Sequence, residues 1–139
     1  MSVDSAGMAA RLGIKPGMVV QELGWDEDAD EDLRDATIEL SGGEMVDEDT
    51  DEVADVVLLW WREDDGALFD ALTDALASLA DDGVVWLLVP KSGRPGHVEP
   101  GDVTEVAPTA GLQQTSSVSA AKDWSGIRLV SPKTARSRR

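Results

Sequence analysis

Two uninterrupted apolar stretches, Val56-Val57-Leu58-Leu59-Trp60 and Val84-Val85-Trp86-Leu87-Leu88-Val89, constrain this chain more than any other feature. A strand with one wet face alternates apolar and polar residues, because successive side chains point to opposite sides. A run without alternation is covered on both faces, the condition of strands inside a parallel sheet with helices on either side. The residues between the two runs supply such a helix. Leu68, Leu72, Ala75, Leu76 and Leu79 recur at helical spacing and predict a helix over 66–79, ended by Asp81-Asp82-Gly83.

The flanking segments extend the same pattern. After the turn residues Ile14 to Gly17, Met18 to Leu23 reads as a short strand. Asp28 or Asp30 can cap a helix running to about Leu40, and Ser41-Gly42-Gly43 stops it. Pro90 halts the second apolar run, "KSGRPGHVEPGD" forms a loop, and a short helix is predicted from Pro100 to Ala110. Gln113 to Ala120 alternates weakly as a strand, "AKDWSG" turns, and Ile127 to Val130 forms a last strand. Too few residues separate the last two strands for a crossover helix, so they should pair as an antiparallel hairpin. The expected architecture is a single three-layer α/β domain, Rossmann-like, with about five strands, mainly parallel with a C-terminal antiparallel hairpin. It is expected to cover 14–132, after a flexible lead-in over 1–13 with a helical turn around Met8 to Leu12, and before a disordered basic tail over 133–139.

Charge narrows the function classes. The net charge is -16, and between Glu22 and Asp82 only Arg34 and Arg62 are basic. Such a surface repels phosphate backbones and anionic membranes, which argues against direct nucleic-acid binding. Without cysteine there is no disulfide, thiol nucleophile or cysteine-held zinc. No stretch approaches the roughly 20 apolar residues of a membrane span. The start lacks a basic and apolar leader, so the expected location is cytoplasmic. "DEDADEDLRDAT" and "DEDTDEVADVVL" place acids like a calcium loop, but both lack its turn glycine and closing glutamate. No metal and no cofactor are expected.

In open α/β sheets, ligands bind beyond the carboxyl ends of the strands. That edge should gather Trp25 after the first strand, Trp61 and Arg62 after the second, and Lys91, Arg94 and His97 after the third. Lys122 and Trp124 follow the fourth. These eight residues are the candidate ligand- or partner-binding set, with indoles for contact area and cations for an anionic group. Adjacent Trp60 and Trp61 face opposite sides of the sheet, so at least one should pack beneath a helix, and Trp86 belongs to the core. No catalytic residue stands out. His97 has no histidine or cysteine partner, and Ser116, Ser117 and Ser119 lie outside any nucleophile-elbow pattern.

"VADVVLLWW", "ALTDALASLADDGVVWLLVPK", the helix ending "TAGL" and the return strand "GIRLV" resemble the closing half of a class I SAM-dependent methyltransferase. That resemblance implies the fold, but it breaks at the cofactor site. Where such enzymes carry a glycine-rich loop, this chain has Gly24-Trp25-Asp26-Glu27-Asp28. Carboxylates at a helix N-terminus satisfy its free N–H groups and fill the place of an anionic ligand group. Only a short connector stands where that fold places two strands and a helix, with no visible counterpart of its ribose-binding acid. More specifically, "GIKPGMVVQELGWDEDAD", "DVVLLWWR", "GRPGHVEP" and "SAAKDWSGIRLV" resemble an uncharacterised family of small actinobacterial proteins defined by a domain of unknown function. The expectation is a non-catalytic binding or regulatory protein acting through a protein partner. Binding of a small anionic ligand or nucleotide at the carboxyl edge, with or without chemistry, is the alternative. DNA mimicry by the acidic half is a third reading.

Overall fold

The computed structural model describes residues 9–47 and 52–131. The basic tail over 133–139 and the first residues of the lead-in lie outside the described residues. In chain order the elements are β1 (Val20–Leu23), α1 (Glu31–Ser41), β2 (Ala54–Trp60), α2 (Leu68–Ala77), β3 (Leu79–Pro90), α3 (Pro100–Thr109), β4 (Gln113–Ser119) and β5 (Trp124–Val130). They form one five-stranded sheet in the order β1-β2-β3-β5-β4. β1, β2 and β3 are parallel, while β5 runs antiparallel to both β3 and β4. The mainly parallel sheet with a closing hairpin is therefore the architecture that the apolar runs and the short last connection imply.

The two apolar runs are buried on both faces. Val57 and Leu59 of β2, with Val85, Leu87 and Val89 of β3, pack against Leu72 and Ala75 of α2 and Val103 and Ala107 of α3. Val56, Leu58, Trp60, Trp86 and Leu88 face the other way, onto Leu33 and Ala36 of α1 and onto Ala9, Leu12, Ile14 and Trp124. Trp60 and Trp61 divide between the two layers, and both are buried. Burying a large apolar side chain contributes about 1.5–3 kcal/mol, so these two layers dominate the stability.

Three boundaries differ from the sequence reading. The second helix ends at Ala77, and Leu79 opens β3 opposite Ala54. Leu79 continues the helical apolar spacing, yet it packs on the same core layer from a strand, so spacing alone could not separate the two. The last strand begins at Trp124 rather than Ile127, because Trp124 already pairs with Pro90. Part of the segment read as a lead-in belongs to the packed fold. Ala9 and Leu12 are buried, and the Leu12 carbonyl accepts the Trp86 Nε1–H bond at 2.7 Å.

Local signals explain the ends of α1. The Asp30 side chain accepts from Leu33 N at 2.8 Å, and Gly42 adopts a left-handed φ of 88° while its N–H bonds to Ile38 O. The connector that follows brings Val46 beside β1. Val46 N donates to Val20 O, and Glu22 N donates to Val46 O, a single parallel bridge on the outer edge of the sheet.

Candidate functional site

The carboxyl ends of β1 and β2 meet at Gly24. Its φ of +76° is left-handed, and a Cβ there would lie 2.2 Å from the Trp60 carbonyl oxygen, so the backbones touch as only glycine allows. Arg62 spans this junction. Its Nη1 donates to Gly24 O at 2.7 Å and its Nε to Asp28 Oδ2 at 3.0 Å, while Nη2 bonds Asp28 Oδ1. Asp65 Oδ2 closes the other side at 3.2 Å. The guanidinium also lies 5.2 Å from the Trp124 ring. Burial opposes the charge on Arg62, but Asp28 and Asp65 more than restore it and raise its affinity for the proton. The hydrogen bond from Arg62 holds the Asp28 carboxyl below its ordinary value. A bidentate arginine–carboxylate pair thus lies across the end of β1.

A second network lies behind the first. Glu22 accepts from Arg34 at 2.6 and 2.8 Å and from Trp60 Nε1 at 2.9 Å. Glu22 raises the proton affinity of Arg34, and Glu31 adds to it. Arg34 also sits over the Trp25 ring, 5.5 Å from its centroid, and Trp25 Nε1 reaches Glu31. Trp25 is held by these contacts and still leaves 48% of its surface in solvent.

Between β1, β2 and α2 opens a cleft of about 660 Å³. Leu23, Leu59 and Trp61 give it apolar walls, Trp25 and Asp26 stand at one end, and Ala71, Asp74 and Ala77 of α2 line one side. Among the described residues three carboxylates, those of Asp26, Asp65 and Asp74, face it against the single guanidinium of Arg62. Gln21 also lines it. Its Nε2 donates to Asp47 O at 3.1 Å, which fixes the orientation of the amide, since a flip would set oxygen against oxygen. Among the described residues the Gln21 Oε1 is then buried without a partner, and an unpaired buried acceptor costs about 1–3 kcal/mol.

The eight candidate residues do share the carboxyl edge, but they divide among different contacts. Trp25, Trp61 and Arg62 line the cleft. Arg94 and Trp124 line a separate hollow of about 180 Å³ with Asp28 and Asp123, and Arg94 pairs with Asp123 at 3.3 Å. Trp124 is buried, its Nε1 donating to Asp28 O. Lys91 bonds Ser119 Oγ at 2.7 Å, the His97 ring sits on Pro90 O through Nδ1, and Lys122 is exposed. Gln21 and Asp74 were missed. A lone glutamine in an apolar strand was a readable signal, whereas Asp74 resembles any other exposed helical acid.

Comparison with solved structures defines the class of fold. A SAM-dependent methyltransferase from Aquifex aeolicus superposes with a TM-score of 0.62 over 91% of this chain and 88% of its own, at 14% identity. A didemethyltoxoflavin N1-methyltransferase from Burkholderia thailandensis gives 0.59 over 91% and 76%, at 17% identity. The CcbJ methyltransferase from Streptomyces caelestis gives 0.59 over 92% and 95%, at 10% identity. The chain has a methyltransferase-like α/β fold. Within that class it belongs to the family described as "Protein of unknown function (DUF3052)", which matches residues 9–133. Uncharacterized proteins of Mycobacterium tuberculosis and Mycobacterium bovis are 56% identical to it over 130 residues, 94% of this chain and 82% of theirs.

Proposed function

We propose that this protein is a non-catalytic binding or regulatory member of the methyltransferase-like fold and that it acts through a protein partner. The observation that carries the reading is Arg62. It bonds the Gly24 carbonyl and grips Asp28 at the end of β1, where a ligand of an open α/β sheet would approach. Asp30 caps the following helix with its own carboxylate, so the N-terminus that would favour an anionic ligand is already served. The half-exposed Trp25 beside an acidic cleft offers instead a contact surface for a basic partner. The paired state of Arg94 and the bonded state of Lys91 leave the anionic-ligand alternative with less free positive charge than their sequence positions suggested.

The test has two arms. Titration with SAM, followed by tryptophan fluorescence and calorimetry, should leave the protein unchanged, and no methyl group should pass to any acceptor in a cell extract. Cross-linking at low salt should trap a reproducible protein partner, and added salt should weaken the association. Saturable SAM binding with methyl transfer would overturn the proposal.

A further inference from the structure

We infer that the cleft between β1 and α2 is a receptor site for a protonated amine or guanidinium carried on an apolar stem, as a lysine or arginine of a partner presents it. The inference rests on the binding reading above and names the chemistry that the site takes. Its volume of about 660 Å³ accommodates such a side chain with its neighbours. Leu23, Leu59 and Trp61 are each buried to nine-tenths or more and form an apolar wall for the stem.

Charge selects the head group. Of the ionisable residues on the cleft, Arg62 is the sole cation among the described residues, and it is engaged by Asp28 and Asp65. Among the described residues Asp74 forms no ion pair, and the Asp26 side chain bonds only the N–H of Glu27. The cleft therefore carries uncompensated negative charge on the α2 side and at the Trp25 end. A cation entering it restores the balance, and an anion is repelled.

Gln21 adds an independent requirement. It is 2% exposed, lies on the same face of β1 as Leu23, and has its amide N–H committed to Asp47 O. Gln21 lines the cleft, and among the described residues its Oε1 is a buried acceptor that lacks a donor. An ammonium or guanidinium offers N–H donors and no acceptor, whereas a carboxylate or phosphate offers the reverse. Acidic surroundings and an orphan acceptor thus demand the same ligand.

The experiment titrates the intact protein with three probes, read by calorimetry and by the fluorescence of Trp25 and Trp61. The first is a capped peptide with one lysine between leucines. The second is the same peptide with norleucine, a neutral residue with the same four-carbon stem, in place of lysine, and the third is agmatine. The lysine peptide should bind at least about tenfold tighter than the norleucine peptide, the gap expected of a hydrogen bond to a charged donor. Asp74→Asn should shrink that gap several-fold, and Gln21→Met should shrink it without lowering the melting temperature. A Gln21 that serves only the Asp47 contact would instead lower the melting temperature and leave the gap intact.

Equal affinities for the lysine and norleucine peptides, or flat titrations with both cations, would overturn the inference. Agmatine binding without peptide binding would uphold the cation site but assign it to a free small amine, which would count against the protein-partner reading. Methyl transfer from SAM would remove the non-catalytic reading and leave this titration untouched, so the two failures are distinct.

Discussion

Trp124 meets Trp60 edge to face, with ring centroids 4.8 Å apart and planes inclined by 81°. The two indoles come from β5 and β2, which are not neighbours in the sheet, and both are buried in the layer that α1 covers. Each also places its N–H: Trp60 on Glu22 and Trp124 on Asp28 O. Trp124→Ala should cost about 3–5 kcal/mol, as expected for a truncated core tryptophan. Urea denaturation would measure it, and Trp124→Phe should cost less because it keeps most of the apolar volume. A loss under about 1 kcal/mol would mean that Trp124 is not part of the core.

Gly24 and Gly42 share a left-handed backbone but differ in surroundings. A Cβ at Gly24 would strike the Trp60 carbonyl, whereas one at Gly42 meets nothing within 4 Å. Gly42→Ala should therefore cost only the conformational penalty, about 1–2 kcal/mol. Gly24→Ala should cost clearly more, because β1 and β2 must also part. Comparing the two urea midpoints isolates the effect of the close approach, and equal losses would refute it.

Much of this fold was legible because burial writes directly into composition. The runs at β2 and β3 lack alternation since both faces are covered, and the short link before β5 leaves no room for a crossover. Boundaries were less legible where one residue satisfies two patterns. Leu79 fits the α2 spacing and also the opening of β3, and only its pairing with Ala54 decides. The candidate site was legible as an edge but not as a set of contacts. Sequence position put Arg62, Arg94 and Lys91 together as free cations, yet Asp28, Asp123 and Ser119 reach them across the fold. Such partners lie far apart in sequence, so no local pattern announces them.

Asp28 and Asp30 were equivalent as helix caps by sequence, and the structure separates them. Asp30 bonds Leu33 N, while Asp28 bonds Arg62. Asp30→Ala should destabilise the protein by about 0.5–2 kcal/mol through the freed helix N–H. Asp28→Ala should leave the helix intact and loosen Arg62. Amide hydrogen exchange distinguishes them: the first turn of α1 should exchange faster in the Asp30 variant and unchanged in the Asp28 variant.

The Asp28–Arg62 pair has a defined pH signature. Arg62 holds the Asp28 carboxyl below its ordinary value of 3.8, so the folded state binds this proton less readily than the unfolded chain. The contribution is complete above that ordinary value and disappears as the pH falls through the lower folded value. Asp28 is 54% exposed, so solvent screening limits the effect to about 1 kcal/mol or less. With a net charge of -16, acid also relieves repulsion across the whole surface, so the stability of a single protein cannot report on one pair. The difference between the wild type and Asp28→Asn can. Urea midpoints should show the wild type ahead near neutral pH, and the gap should narrow progressively as the pH falls below the ordinary carboxyl value. A gap that stays constant over this range would mean that Arg62 does not engage the ionised carboxylate.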